Sequence, residues 1–298
     1  MADGRVDEAL ERLHATADEY GMGLSNHGPM TVQALAAVGA VDEVLPWVRR
    51  YERKLEPADE PAPDPVEGDW QDVLRASLPA LVTGSVSAAG HGAIRTAHAV
   101  ALLEEADTPP RRTELARALR YWRRSYERLD PGPPMDDAPA SVQEAWRRLP
   151  PLPSPGSGNG RLLSDRLRDL PPLPVLSTAT IDDVATAAAS VLVASPPSAT
   201  IALVHAVTTP AAMRVLDPYL PDGVAATQAW VVATALVATF ADRRAPLLPL
   251  DVTDPGEAVA LAVESGDEHA IKLAATGVAP AVVAEVARRL SPRPPPLR

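Results

Sequence analysis

The chain has 298 residues, with 39 acidic against 28 basic side chains, a formal charge of -11 and no cysteine. That length can bury a sizeable core, the acidic balance argues against a nucleic acid or an anionic membrane surface as partner, and the missing cysteines exclude disulfides, thiolate metal sites and cysteine nucleophiles. Any metal must bind through nitrogen or oxygen. The opening MADGRVDEALERL is charged from its third residue and has no apolar segment of the signal-peptide kind, so a cytoplasmic protein is expected.

Apolar residues recur at three- and four-residue intervals over Val6–Tyr20, Val32–Val38 and Val41–Leu55, which predicts helices, the last two joined as an αα-hairpin through Gly39 and Ala40. Between the first two, GLSNHGPMTVQAL (23–35) places His27 on a turn, because Gly-Pro stops a preceding helix and Thr31 can cap the next. Such a histidine either hydrogen-bonds its own turn or serves as a ligand. The segment EPADEPAPDPVEGD from Glu56 reads as a surface connection.

Helical patterns then cover Trp70–Leu81, Ile94–Glu105, Thr113–Leu129, Ser141–Leu149, Ile181–Val193, Ala199–Ala206, Ala211–Leu216, Ala225–Ala241, Gly256–Ser265, His269–Ala275 and Pro280–Leu290. The apolar run from Val224 contains Thr and Gln and falls short of a span of roughly 20 residues, so it reads as a buried core helix. No strand is expected. Residues 149–176 form a Pro- and Gly-rich stretch whose Gly156–Gly160 run lacks both the preceding strand and the following Lys-Ser/Thr of a phosphate loop. It reads as a flexible loop inside one domain, able to cover a pocket, and 291–298 reads as a disordered tail. The expected fold is all-α: a single compact multi-helical domain over 1–298.

The chain carries six histidines. His14 has polar or small neighbours and reads as a surface residue. His91 and His98 lie seven positions apart, about 10.5 Å along a helix axis, so only one of them can join a given metal site while the other faces a substrate. His205 is flanked by Val204 and Ala206, as a core histidine would be. His269 opens HAIKL, with Lys272 three residues on and facing the same way. Neutral imidazoles alone leave a divalent charge uncompensated in a buried pocket, so an anionic ligand is wanted. Asp267 and Glu268 directly precede His269 and so point to other faces of the helix. A buried Lys272 gives up its proton readily, and its amine can add carbon dioxide to form a carbamate, an anionic oxygen donor.

LSNHGPMTVQALAAVGA, HGAIRTAHA, LVHAVTTPAAMRVL and DEHAIKLAATG together resemble the questin oxidase family, from about residue 20 to residue 290. The resemblance implies an all-helical fold, oxygen-dependent ring cleavage or oxygenation of anthraquinone-like aromatic polyketides in secondary metabolism, and a mononuclear non-haem Fe(II). It carries the ligand set onto His27, His91, His205, His269 and a carboxylated Lys272. His98 and Arg95 then become candidate catalytic groups, and Asn26 and Met30 candidate substrate-binding ones. Dioxygen is the implied co-substrate and NADPH a candidate external reductant; the expected partner is a small aromatic or polycyclic molecule, with no nucleic acid, no membrane and a homodimer left open. Three readings compete: an NADPH-assisted Baeyer–Villiger-type oxidase, a zinc-dependent hydrolase with Glu268 or Asp267 as base, and a non-catalytic helical binding protein.

Overall fold

The computed structural model describes residues 2–136, 139–149, 162–168, 170–243 and 253–291, and they form a compact all-α fold. In chain order its helices are α1 (Ala2–His14), α2 (Gly28–Ala37), α3 (Val41–Tyr51), α4 (Trp70–Leu81), α5 (His91–Glu105), α6 (Pro109–Arg124), α7 (Val142–Arg148), α8 (Leu163–Arg168), α9 (Ile181–Ala194), α10 (Thr200–Leu216), α11 (Val224–Phe240), α12 (Pro255–Ser265), α13 (Glu268–Ala274) and α14 (Pro280–Leu290). Several begin where the sequence supplies an oxygen cap. Asp69 accepts from the Gln71 N–H ahead of α4, Thr180 and Asp183 satisfy each other's backbone ahead of α9, and Asp254 and Asp267 cap α12 and α13.

Three apolar clusters hold these helices together: one around α9, α10, α11 and α14, a second around α4, α5 and α6, and a third around α1, α2 and α3 with Ile271 of α13. Alanines make the close approaches. Ala206 on α10 and Ala233 and Ala235 on α11 are fully buried, and α10 packs against both α9 and α11. The stretch Pro197–Tyr219 has the length and apolarity to cross a membrane, and 78% of its apolar window is buried within this protein.

Around the middle of the fold, α2 packs on α5, α5 on α10, α10 on α13 and α13 on α2. These four helices close a ring.

The structure departs from the periodicity in several places. α1 ends at His14 instead of reaching Tyr20, and the chain turns through a short antiparallel pair, β1 (Glu19–Tyr20) with β2 (Leu24–Ser25). The Gly-Pro pair opens α2 rather than preceding it, since a proline in the first turn loses no helix bond. His27 is therefore the residue before the helix, and Thr31 donates its hydroxyl back to the His27 carbonyl instead of capping. α6 spans Pro109–Arg124 and ends short of the expected Leu129. The two helices expected at Ala199–Ala206 and Ala211–Leu216 are one, α10, which continues through Pro210 because buried contacts on both sides offset the lost bond. A second strand pair, β3 (Pro131–Pro134) parallel with β4 (Leu173–Val175), is also present. In the expected loop 149–176, α8 and β4 are ordered elements; Gly156–Gly160 and the tail residues 292–298 lie outside the described residues.

Candidate metal centre

The ring of helices brings four histidines and a lysine to one point. His27 precedes α2, His91 is the first residue of α5, His205 lies in the first half of α10, and His269 and Lys272 lie on α13. All five are buried, His205 and Lys272 to 1% exposure. Ring centroids are 4.6 Å apart for His27 and His91, 4.6 Å for His91 and His205, 4.7 Å for His27 and His269, and 5.4 Å for His205 and His269. Two groups of ligand atoms, each within 4.8 Å of one another, result: His27 with His91 and His205, and His27 with Glu268 and His269. This buried cluster can hold a metal ion.

The hydrogen bonds fix which nitrogens are available. The Nδ1 of His91 meets the Ala88 carbonyl, and the Nδ1 of His205 meets the Ile201 carbonyl at 2.7 Å. A carbonyl can only accept, so each Nδ1 carries its proton and each neutral ring presents a bare Nε2. These two Nε2 atoms face each other at 3.1 Å. Two lone pairs at that distance repel unless a cation lies between or beside them. A proton is a poor candidate, because burial holds both imidazoles well below their ordinary pKa, as it does His27. The positive ends of α2 and α5 act in the same direction on His27 and His91. Neutral imidazoles whose other nitrogen is tied to a backbone carbonyl are what a metal ion selects.

The backbone before His91 is strained to achieve this. Ala88 and Ala89 lie at φ +48° and +59° and Gly90 at +95°. The two left-handed alanines cost roughly 1–2 kcal/mol each, and they turn the chain so that the Ala88 carbonyl reaches the His91 ring. Gly90 lets the start of α5 approach α10, because a Cβ there would come within 2.5 Å of Thr209 Oγ1.

Lys272 Nζ lies 3.3 Å from His27 Nδ1, and burial pushes its pKa down to about 8. The two carboxylates expected to point away are instead beside the site. Asp267 caps α13 through the N–H groups of His269 and Ala270, and its Oδ1 stands 3.3 Å from His269 Nδ1, so it orients that ring. Glu268 Oε1 is 4.0 Å from His27 Nδ1 and 3.1 Å from Lys54 Nζ. Spacing along one helix concealed this arrangement because the partner, His27, arrives from a turn more than 200 residues away. His27 is itself held by its N–H, which donates to the Tyr51 hydroxyl at 2.7 Å.

The four imidazoles lie in the wall of a cavity of about 550 Å³. Tyr20, Leu24, Tyr126 and Ile201 add apolar surface, and Leu162, Leu163, Ser164 and Asp165 from the 149–176 segment close one side.

The other expected site residues lie elsewhere. His98 Nδ1 is 2.5 Å from Gln33 Oε1, in a separate recess of about 130 Å³ that also reaches Lys272. Arg95 is not a cavity residue: fully buried, it spends its donors on Glu114 at 2.6 and 3.2 Å and on Asp18 at 2.8 Å. Asn26 builds the turn, donating to Thr16 Oγ1 and the Ala17 carbonyl while its Oδ1 accepts from the Gly28 N–H. Met30 is fully buried in the second apolar cluster. None of Arg95, Asn26 and Met30 lines the histidine cavity. His14 is not a surface residue either; its ring is mostly buried, 3.5 Å from Glu114.

Compared with protein-family models, with curated proteins and with solved structures, the chain matches none of them.

Proposed function

We propose that this protein is a mononuclear non-haem iron oxygenase, similar to the questin oxidases, that oxygenates or oxidatively cleaves a polycyclic aromatic substrate. The observation that carries the reading is the facing pair of bare Nε2 atoms of His91 and His205, 3.1 Å apart in a buried wall. His27 and His269 complete a nitrogen-rich, thiol-free donor set of the kind that suits iron, zinc, copper or nickel. Four neutral imidazoles supply no charge, so the anionic donor falls to Lys272 as a carbamate, or to Glu268. Lys54 already neutralises Glu268 at 3.1 Å, which favours Lys272. The bound iron would supply dioxygen binding and activation beside the substrate ring.

The chain's own groups prepare that chemistry. The Ala88 and Ile201 carbonyls and Asp267 hold three imidazoles in fixed orientation. Leu162, Leu163, Ser164 and Asp165 line the cavity and would border a substrate held there. Oxygen consumption by the iron-loaded protein, with and without NADPH, against a panel of hydroxylated anthraquinones and their hydroquinones tests the reading. Uptake coupled to loss of the aromatic chromophore is the expected result; neither uptake nor product from any member would overturn it.

A zinc-dependent hydrolase is the second reading, favoured by one observation: the two-histidine, one-carboxylate group of His27, His269 and Glu268, which leaves Glu268 placed as ligand or base. Zinc rather than iron in the purified protein, with ester hydrolysis lost in Glu268→Gln, would select it.

A further inference from the structure

The mouth of the histidine cavity carries a feature the metal centre does not explain. Among the described residues four large apolar side chains are exposed, and three of them, Leu24 (49%), Tyr126 (37%) and Ile201 (43%), line this cavity. The fourth, Met22, is two residues from Leu24, on the turn between β1 and β2. Singly scattered apolar residues are ordinary on a protein surface, whereas a cluster around one opening marks a place where apolar matter binds.

Tyr126 is held more firmly than an exposed tyrosine needs to be. Its hydroxyl lies 2.7 Å from Thr83 Oγ1, and its ring sits on Gly84, where a Cβ would come within 2.5 Å of both Cδ2 and Cε2. The ring is thus seated on backbone and tethered at its tip, and Tyr126 is one of the residues that line the cavity. An aromatic side chain fixed before binding loses no rotamer freedom when a ligand arrives. Flat rings stack on such a surface, and an aromatic pair contributes about 0.5–1.5 kcal/mol beyond the area it buries.

We propose that Tyr126, seated on Gly84 and tethered to Thr83, is a preformed stacking platform that makes the cavity select planar conjugated polycycles over saturated ones of equal size. The proposal rests on the cavity being the substrate site, and it requires no metal for binding. Leu24 and Ile201, which line the same cavity, then cover the part of the polycycle that extends beyond the imidazoles.

The test titrates the full-length, metal-free protein with two probes: 1,8-dihydroxyanthraquinone, followed by its absorbance, and a fully saturated tricyclic diol of the same skeleton, followed by calorimetry. The parent should bind the planar probe more tightly. Tyr126→Ala should weaken the planar probe about three- to tenfold, the fold-change equivalent of one aromatic pair, and leave the saturated probe within about twofold. Tyr126→Phe should keep the preference, whereas Gly84→Ala, which displaces the ring from its seat, should reproduce the alanine result in a protein with an unchanged circular dichroism spectrum. The proposal is overturned if the parent shows no preference for the planar probe, or if Tyr126→Ala and Gly84→Ala leave that preference intact or weaken both probes equally. Iron content and oxygen uptake are separate readouts, so loss of the platform and loss of the oxygenase reading are distinguishable.

Discussion

Lys272 Nζ stands 3.3 Å from Nδ1 of His27, which ties α13 to the turn before α2 and leaves a buried amine at the edge of four imidazoles. Burial lowers the lysine to about 8, so the ammonium form, which would repel a metal ion, gives way to the free amine as the pH rises through that value. Only the free amine can add carbon dioxide. Metal loading should therefore climb between pH 7 and 9 and should fall when bicarbonate is stripped from the buffer. Lys272→Ala should abolish both dependences and lose most of the metal, and Lys272→Glu should recover part of it. Equal loading of parent and Lys272→Ala, indifferent to bicarbonate, would remove Lys272 from the site.

His98 is the discriminating control for the ligand set. Its ring is bonded to Gln33 in a separate recess, and burial together with the charge of Lys272 holds its pKa down at about 3. His98→Ala should keep the metal while His91→Ala loses it, as read by metal content of variants with matched thermal stability. The opposite pattern would transfer the ligand role to His98.

Arg95 predicts a stability effect instead of a catalytic one. Burial alone would raise the Glu114 carboxyl, yet Arg95, His14 and Arg117 together draw it down to about 2, and Arg95 and Arg117 likewise lower Asp18 against its burial. A carboxylate whose folded pKa is depressed contributes stability above its unfolded value and loses it as the pH falls through the folded one. The contribution should be complete above about pH 5 and decline toward pH 2. Arg95→Ala leaves buried Glu114 without its two guanidinium hydrogen bonds and should cost about 3–5 kcal/mol at pH 7, with a much smaller cost near pH 2. Urea melts at the two values measure it; an equal cost at both would show that the ion pairs are not its source.

How much of this was legible depended on the range of the interaction. Helices driven by local periodicity and an oxygen cap, such as α4 and α9, lie where the sequence places them, because both signals act within a few residues. The start of α2 at Gly28 is not legible in the sequence because Gly-Pro can either stop a helix or open its first turn; in the structure the His27 N–H is held by Tyr51 and Gly28 lies close against Leu13. The histidine quartet was visible as four motif contexts, but its mutual geometry was not. Helix spacing points Glu268 and Asp267 away from His269, but it says nothing of His27 arriving from another element to meet Glu268, nor of Asp267 folding back as the cap of α13 onto the His269 ring. Arg95 and Asn26 were polar residues in those same motifs, and only the three-dimensional structure shows that their hydrogen bonds are spent on Glu114, Asp18 and the turn itself.

The central claim is that the bare Nε2 atoms of His91 and His205 share a metal ion, and elemental analysis tests it most directly. Protein purified anaerobically without chelator, alongside His91→Ala and His205→Ala variants, should contain about one iron per parent chain and less than roughly a tenth of that in either variant, as expected when one nitrogen of a thiol-free set is removed. A metal-free parent that takes up no added Fe(II), or full occupancy in both variants, would contradict the account.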